Sequence, residues 1–196
     1  MPKKVTMDRV APITMIVGAG LGLIASFMLS NDDVTLASNS HAALNCSLNL
    51  VVNCATVAKS AQATVFGFPN SFIGLAALPV LITIGAVLLS GVKLPQWFQR
   101  AMAIGAFLGL IFAGWMFYES FAVIQVLCPW CMTTDLGMII ASYGVYRYVA
   151  RSGAWFWCAE RAKKLSESNY DLLVAIALVV LIIIAILAKF GSALFA

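Results

Sequence analysis

Histidine occurs once in 196 residues, at His41, so a single copy of this chain cannot hold a bis-histidine haem. Charge is scarce as well: 12 Lys and Arg and 8 Asp and Glu make up 10% of the residues. The basic residues are scattered over several loops and form no face interleaved with aromatics, which argues against nucleic acid as a partner. There is no glycine-rich dinucleotide fingerprint and no phosphate-binding loop. The alternation of a membrane β-barrel, about ten residues per strand, is missing too. What the chain has in abundance is apolar surface. Hydrophobic residues make up 62% of it, against about 45–50% in soluble domains.

Five stretches are long and apolar enough to cross a bilayer, which takes about 20 residues as helix: 11–30, 71–91, 101–123, 128–149 and 171–190. They predict an all-α integral membrane protein, because lipid admits helices that satisfy their own backbone. Gly18, Gly20 and Gly22 in the first span, and Gly105 and Gly109 in the third, would let helices approach closely. The first apolar run exceeds the 7–15 residues of a signal peptide, so it is expected to remain as a helix. Ten of the twelve Lys and Arg residues fall on one side if the spans alternate; Lys59 and Lys189 fall on the other. The positive-inside rule then places the N-terminus in the cytoplasm and the C-terminus outside, in a multi-pass protein of the inner (plasma) membrane.

The five cysteines divide along that topology. Cys46 and Cys54 lie in the outer segment 31–70, and Cys128 and Cys131, in "CPWC", open the fourth span on the same side. Cys158 lies alone in the cytoplasmic loop, beside the interfacial aromatics Trp155, Phe156 and Trp157, and reads as inert. Disulfides persist in the oxidising compartment that the first four would face. Zinc would use a C-x2-C half-site, but C-x7-C is not its usual second half, and no metal is assigned. Two structural disulfides are an alternative that leaves the position of the second pair, at a helix start, unexplained. A working dithiol explains it: Pro129 suits an early helical position, and the positive end of the helix favours a thiolate, the attacking species. Val51, Val52, Ala55, Ala58, Ala61 and Val65 recur at helical spacing and predict a short amphipathic surface helix in the outer segment. A mobile loop with one dithiol, above a fixed dithiol at the membrane, reads as an electron relay. Its acceptor must take two electrons from within lipid, and a quinone fits.

Four features together resemble the vitamin K epoxide reductase family in its bacterial branch: "CSLNLVVNC", Ser60 six residues after Cys54, "FGFPNSFIG", and "CPWC". The resemblance covers roughly residues 11–149. It implies a four-helix transmembrane bundle around a quinone (menaquinone or ubiquinone) over residues 1–150. A cytoplasmic loop and a fifth transmembrane helix would occupy 151–196. It further implies that Cys131 attacks the quinone or forms an adduct with it, and that Cys128 exchanges with the loop pair. Cys54, next to the surface helix, is favoured over Cys46 as the exchange partner. Ser60 and Asn70 match polar positions near the cysteines and quinone, although Ser60 could simply satisfy loop backbone, and Asn70 or Ser71 could cap the second span. Phe66 and Phe68 could wall the pocket or merely pack. Asp135 stands where vertebrate members have a tyrosine, and reads either as a proton donor to the reduced quinone or as a carboxylate wetted at a helix start. The implied activity is a thiol oxidase that supports disulfide formation. It would draw electrons from a separate thioredoxin-like protein outside the cytoplasm, because only "KFGSALFA" follows the fifth span. A vitamin K epoxide or quinone reductase proper is one rival. A non-catalytic membrane protein with structural disulfides is the other.

Overall fold

Each of the five apolar runs forms a helix, and the linking segments form short ones. A computed structural model describes residues 9–47, 49–155 and 159–194. In chain order the helices are α1 (Val10–Ser38), α2 (Cys54–Ala58), α3 (Ser71–Leu89), α4 (Gln96–Tyr118), α5 (Pro129–Ser152), α6 (Ala159–Glu167) and α7 (Tyr170–Leu194). A 3-10 turn covers Ala61–Thr64, and a π-helical turn, Glu119–Ile124, extends α4.

By length and hydropathy α1, α3, α7 and the extended α4 can each cross a membrane. The helix α5 is 24 residues long but carries Asp135, Arg147 and Arg151. It tolerates them because it packs against α1, α4, α6 and α7, so protein rather than lipid covers much of its surface. The α1–α5 contact is closest at the glycines. A Cβ on Gly18 would sit 2.3 Å from the Ala141 nitrogen, and one on Gly137 would sit 2.6 Å from the Gly18 oxygen. Of the other glycines expected at helix contacts, Gly20 and Gly105 face open space.

Two expectations need correction. First, α1 continues two turns beyond residue 30, to Ser38, and takes Asp32 and Asp33 with it. Polar residues end an apolar run without ending a helix, and Leu29 and Leu36 find apolar cover against the cysteine cluster. Second, there is no single surface helix over 51–65. Asn53 caps α2, its side-chain oxygen accepting the Thr56 N–H at 3.1 Å, so the helix begins only at Cys54. Val51 and Val52 instead lie alongside Leu127 in an isolated parallel bridge.

At the opposite end of the bundle, Arg147 of α5 donates to both carboxylate oxygens of Asp171 at 3.1 and 3.2 Å, and to the Asn169 side chain at 3.1 Å. Arg151 donates to the Ser166 hydroxyl and carbonyl, each at 3.1 Å. These bonds fasten α6 and the start of α7 to the bundle. Because Arg147 is buried, removing its charge partner leaves a desolvated guanidinium. Asp171→Ala is expected to cost about 3 kcal/mol in detergent unfolding. That is the low end for a buried pair, because Asn169 and Ser166 still accept. Trp155 packs edge-on against Tyr146, ring centroids 5.7 Å apart, and is half-buried against the bundle core. Cys158, Phe156 and Trp157 lie outside the described residues.

Candidate functional site

The site begins with how the chain returns from α4. The π-helical turn ends at Gln125 in the left-handed region (φ 59°). The Ser120 hydroxyl and carbonyl close the turn on Val126. From α7, Lys189 donates to the Phe121 carbonyl and lies 4.5 Å from the Phe121 ring centre. Leu127 is thereby presented to the outer segment. Its N–H donates to the Val51 carbonyl at 2.7 Å, and its carbonyl accepts the Asn53 N–H at 3.0 Å. The cysteine-bearing segment is thus pinned directly above "CPWC". The sequence suggested a mobile loop; two backbone hydrogen bonds hold this part of it.

The pinning brings the sulfurs together. Cys46 and Cys54 form a disulfide, their Cα atoms 5.6 Å apart. Cys128 and Cys131 are free thiols. Cys128 Sγ lies 3.6 Å from Cys54 Sγ, close to sulfur–sulfur contact. Cys128 is the N-cap of α5 rather than part of its first turn, with Pro129 as the first helical residue. Its sulfur accepts the Cys131 N–H at 3.3 Å, which places it at the positive end of the helix. Burial differs along the row: Cys46 is 7% exposed, Cys54 1% and Cys128 0%. Cys46 is thus the most accessible of the three, while Cys54 faces inward to Cys128.

Beneath Cys131 a cavity of about 490 Å³ opens between α3 and α4, with α1 and α5 as its floor. Its polar groups gather toward the Cys131 end (Ser26, Asn70, Ser71, Cys131, Thr134 and Asp135), and the rest is apolar down to Ile84 and Phe98. Small residues make the room, among them Gly74 and Ala77 on α3 and Gly105 and Gly109 on α4. From Asn70 to Ile84 the slot runs along about 20 Å of helix.

Of the residues expected from the sequence, the cavity brings together Cys131, Asn70 and Asp135. Asn70 occupies the N-cap position of α3, but its side chain makes no capping bond. Its amide nitrogen donates to the Gln62 carbonyl at 2.7 Å and contacts Met116 Sδ at 3.4 Å. The Gln62 carbonyl requires a donor, and that fixes which way the amide faces. Asn70 Oδ1 is then left buried with no partner among the described residues. Asp135 faces two spaces, the cavity and a second one of about 420 Å³ between α4, α5 and α7.

Ser60 and Phe66 lie elsewhere. The Ser60 hydroxyl donates to the Val57 carbonyl at 2.7 Å and is not in the cavity wall. Phe66 is exposed and stacks on Phe68. It also lies 6.0 Å from Phe112, a wall residue, so it sits over the rim. Two residues that sequence reasoning missed are Asp32 and Asp33. Asp32 Oδ2 is 3.4 Å from Cys46 Sγ, and Asp33 accepts the Ser71 hydroxyl at 2.8 Å. Their signal was the acid pair in "SNDD", just beyond an apolar run.

Sulfur chemistry arranged this way inside a membrane bundle marks an integral-membrane oxidoreductase. The chain belongs to the vitamin K epoxide reductase family, whose profile matches residues 13–146, more than half its length. A search of curated proteins gave no match.

Proposed function

We propose that the protein is a membrane thiol oxidase supporting disulfide bond formation. It would draw two electrons from a thioredoxin-like protein outside the cytoplasm and deliver them to a quinone of the bilayer. The observation that carries this reading is the 3.6 Å approach of Cys128 Sγ to Cys54 Sγ, with Cys131 in the cavity wall. A disulfide sulfur in contact with a thiol is the geometry of thiol–disulfide exchange. A purified assay tests it: the protein should oxidise a reduced thioredoxin-like protein at the expense of a quinone. Absence of quinone-dependent oxidation would sink the reading.

The cavity suits a quinone on two grounds. A long apolar slot with polar groups at one end matches a polar ring on an isoprenoid tail. The orphaned Asn70 Oδ1 supplies an acceptor for the hydroxyl that the ring gains on reduction. When bound, the quinone supplies a two-electron, two-proton acceptor. Cys131 hands over the electrons at the cavity wall, Asp135 holds a proton one helical turn further in, and Asn70 fixes orientation. An unsatisfied buried acceptor costs about 1–3 kcal/mol. Asn70→Leu is therefore expected to weaken retention of quinol, the reduced product, about tenfold, with quinone binding much less affected. Separate titrations of the two ligands by tryptophan quenching check this.

We place the cysteine cluster on the extracytoplasmic side of the inner (plasma) membrane, with the N-terminus inside and the C-terminus outside. The support is that Arg100, Arg147 and Arg151 lie at the end of the bundle opposite the cysteine cluster, whereas Lys59 and Lys189 lie at the cluster's end. Arg100 bonds the Ala154 carbonyl at the end of the bundle opposite Cys128. After mild reduction of intact cells, an impermeant maleimide should label Cys46 and leave Cys158 untouched; labelling of Cys158 alone would invert the topology.

A further inference from the structure

Asp32 holds a position that the oxidised loop does not explain. Its Oδ2 lies 3.4 Å from Cys46 Sγ, yet a disulfide sulfur has no proton to donate. Its neighbour Asp33 is engaged by Ser71, whereas Asp32 faces the outermost sulfur of the row. Within the relay proposed above, on which this inference rests, one step requires a base at that sulfur.

The step is the second half of the internal exchange. In the first half, Cys54 as thiolate attacks Cys128 of a Cys128–Cys131 disulfide. The Cys54–Cys128 bond forms and Cys131 leaves as thiolate. In the second half, Cys46 attacks Cys54. The Cys46–Cys54 bond forms, the Cys54–Cys128 bond breaks, and its electron pair leaves on Cys128 Sγ. The proton of the Cys46 thiol must go elsewhere. We propose that Asp32 is the catalytic general base that takes this proton. The carboxylate receives it as the sulfur attacks, and no net charge is created or lost.

The structure shows the arrangement at the end of that step. Cys46 and Cys54 are bonded, and Cys128 Sγ remains 3.6 Å from Cys54, held by the Cys131 N–H that favours the departing thiolate. Asp32 remains at the sulfur whose proton has been lost. Other titratable groups nearby are placed differently: Lys59 donates to the Ser40 carbonyl at 2.6 Å, and His41 is exposed.

The test uses the full-length, fully reduced protein in detergent, mixed with a short-chain ubiquinone analogue. Samples are acid-quenched over time and their disulfides mapped after proteolysis. In Asp32→Asn the Cys54–Cys128 bond should form at the native rate and persist about 100-fold longer, the low end of a general base's contribution. Asp32→Glu should restore part of the resolution rate. Native-rate resolution in Asp32→Asn would overturn the assignment. Equal slowing of formation and resolution would overturn it as well, because it marks a structural role. Cys46→Ser separates this failure from failure of the relay. Lacking the thiol that carries the exchange forward, it should accumulate the Cys54–Cys128 bond, which can open only by return attack of Cys131. If it forms no such bond, the relay itself is wrong.

Discussion

Cys131→Ser should stop quinone reduction and leave a disulfide between Cys54 and Cys128. Cys131 is the one sulfur of the row that lines the cavity. Without it, electrons reaching Cys128 have no path onward. Removing the reacting nucleophile of an enzyme commonly costs on the order of 10³-fold or more in turnover. Upstream exchange needs only Cys128 Sγ and Cys54 Sγ, which are already 3.6 Å apart. Cys128 then attacks Cys54 and Cys46 leaves. No Cys131 thiol remains to carry the exchange on to a Cys128–Cys131 bond, so only return attack by Cys46 opposes the mixed bond, and alkylation of Cys46 traps it. Protease mapping without reductant should find Cys54 joined to Cys128, and Cys46 open to alkylation. Cys46 joined to Cys128 would reverse the order of the row. It would require Cys54, at 1% exposed, to be the sulfur presented to an outside protein.

Asp135→Asn should slow quinone reduction about 100-fold, the low end of a lost proton donor, while exchange between the two cysteine pairs keeps its rate. The carboxylate stands one turn beyond Cys131 on α5 and lines the same cavity, so it reaches the space where protons must follow electrons. It is too far along the helix to touch the Cys54–Cys128 contact. Two measurements on one sample separate these effects: quinol formation by absorbance, and disulfide exchange by acid quench. Asp135→Glu should recover part of the first. If both rates fall together, Asp135 supports the helix rather than the chemistry. If neither falls, it is a wetted carboxylate at the cavity wall.

The parts legible in the sequence were those with a period or a fixed spacing. Helices α3, α4, α5 and α7 follow from long apolar runs, and the four cysteines follow from two spaced pairs on one side. Contacts made without any period were not legible. The bridge of Val51 and Val52 with Leu127 spans two residues, far too few for an alternation to show, yet it sets Cys54 over Cys128. Asn53 set the start of the surface helix from inside the pattern, leaving Val51 and Val52 outside it, because a cap outweighs weak amphipathic spacing. Asp32 and Asp33 were overlooked because hydropathy places the end of a span where polarity begins, while the backbone of α1 carries on to Ser38. Ser60 matched a family position, and its hydroxyl donates to the Val57 carbonyl, outside the cavity wall. The cavity is made by Gly and Ala positions on α3 and α4, which in the sequence look the same as the small residues of a helix contact.

Thiol trapping of the Cys46–Cys54 pair tests the relay most directly. The purified protein is incubated with a reduced thioredoxin-like protein, first without quinone and then with it. Acid-quenched samples are alkylated at each stage. The relay predicts that the pair becomes reduced while quinone is withheld and oxidised once quinone is added. It also predicts that the pair in Cys128→Ser stays reduced after the addition. A pair that stays oxidised throughout, or that recovers equally well without Cys128, would contradict the relay and leave Cys46–Cys54 as a structural disulfide.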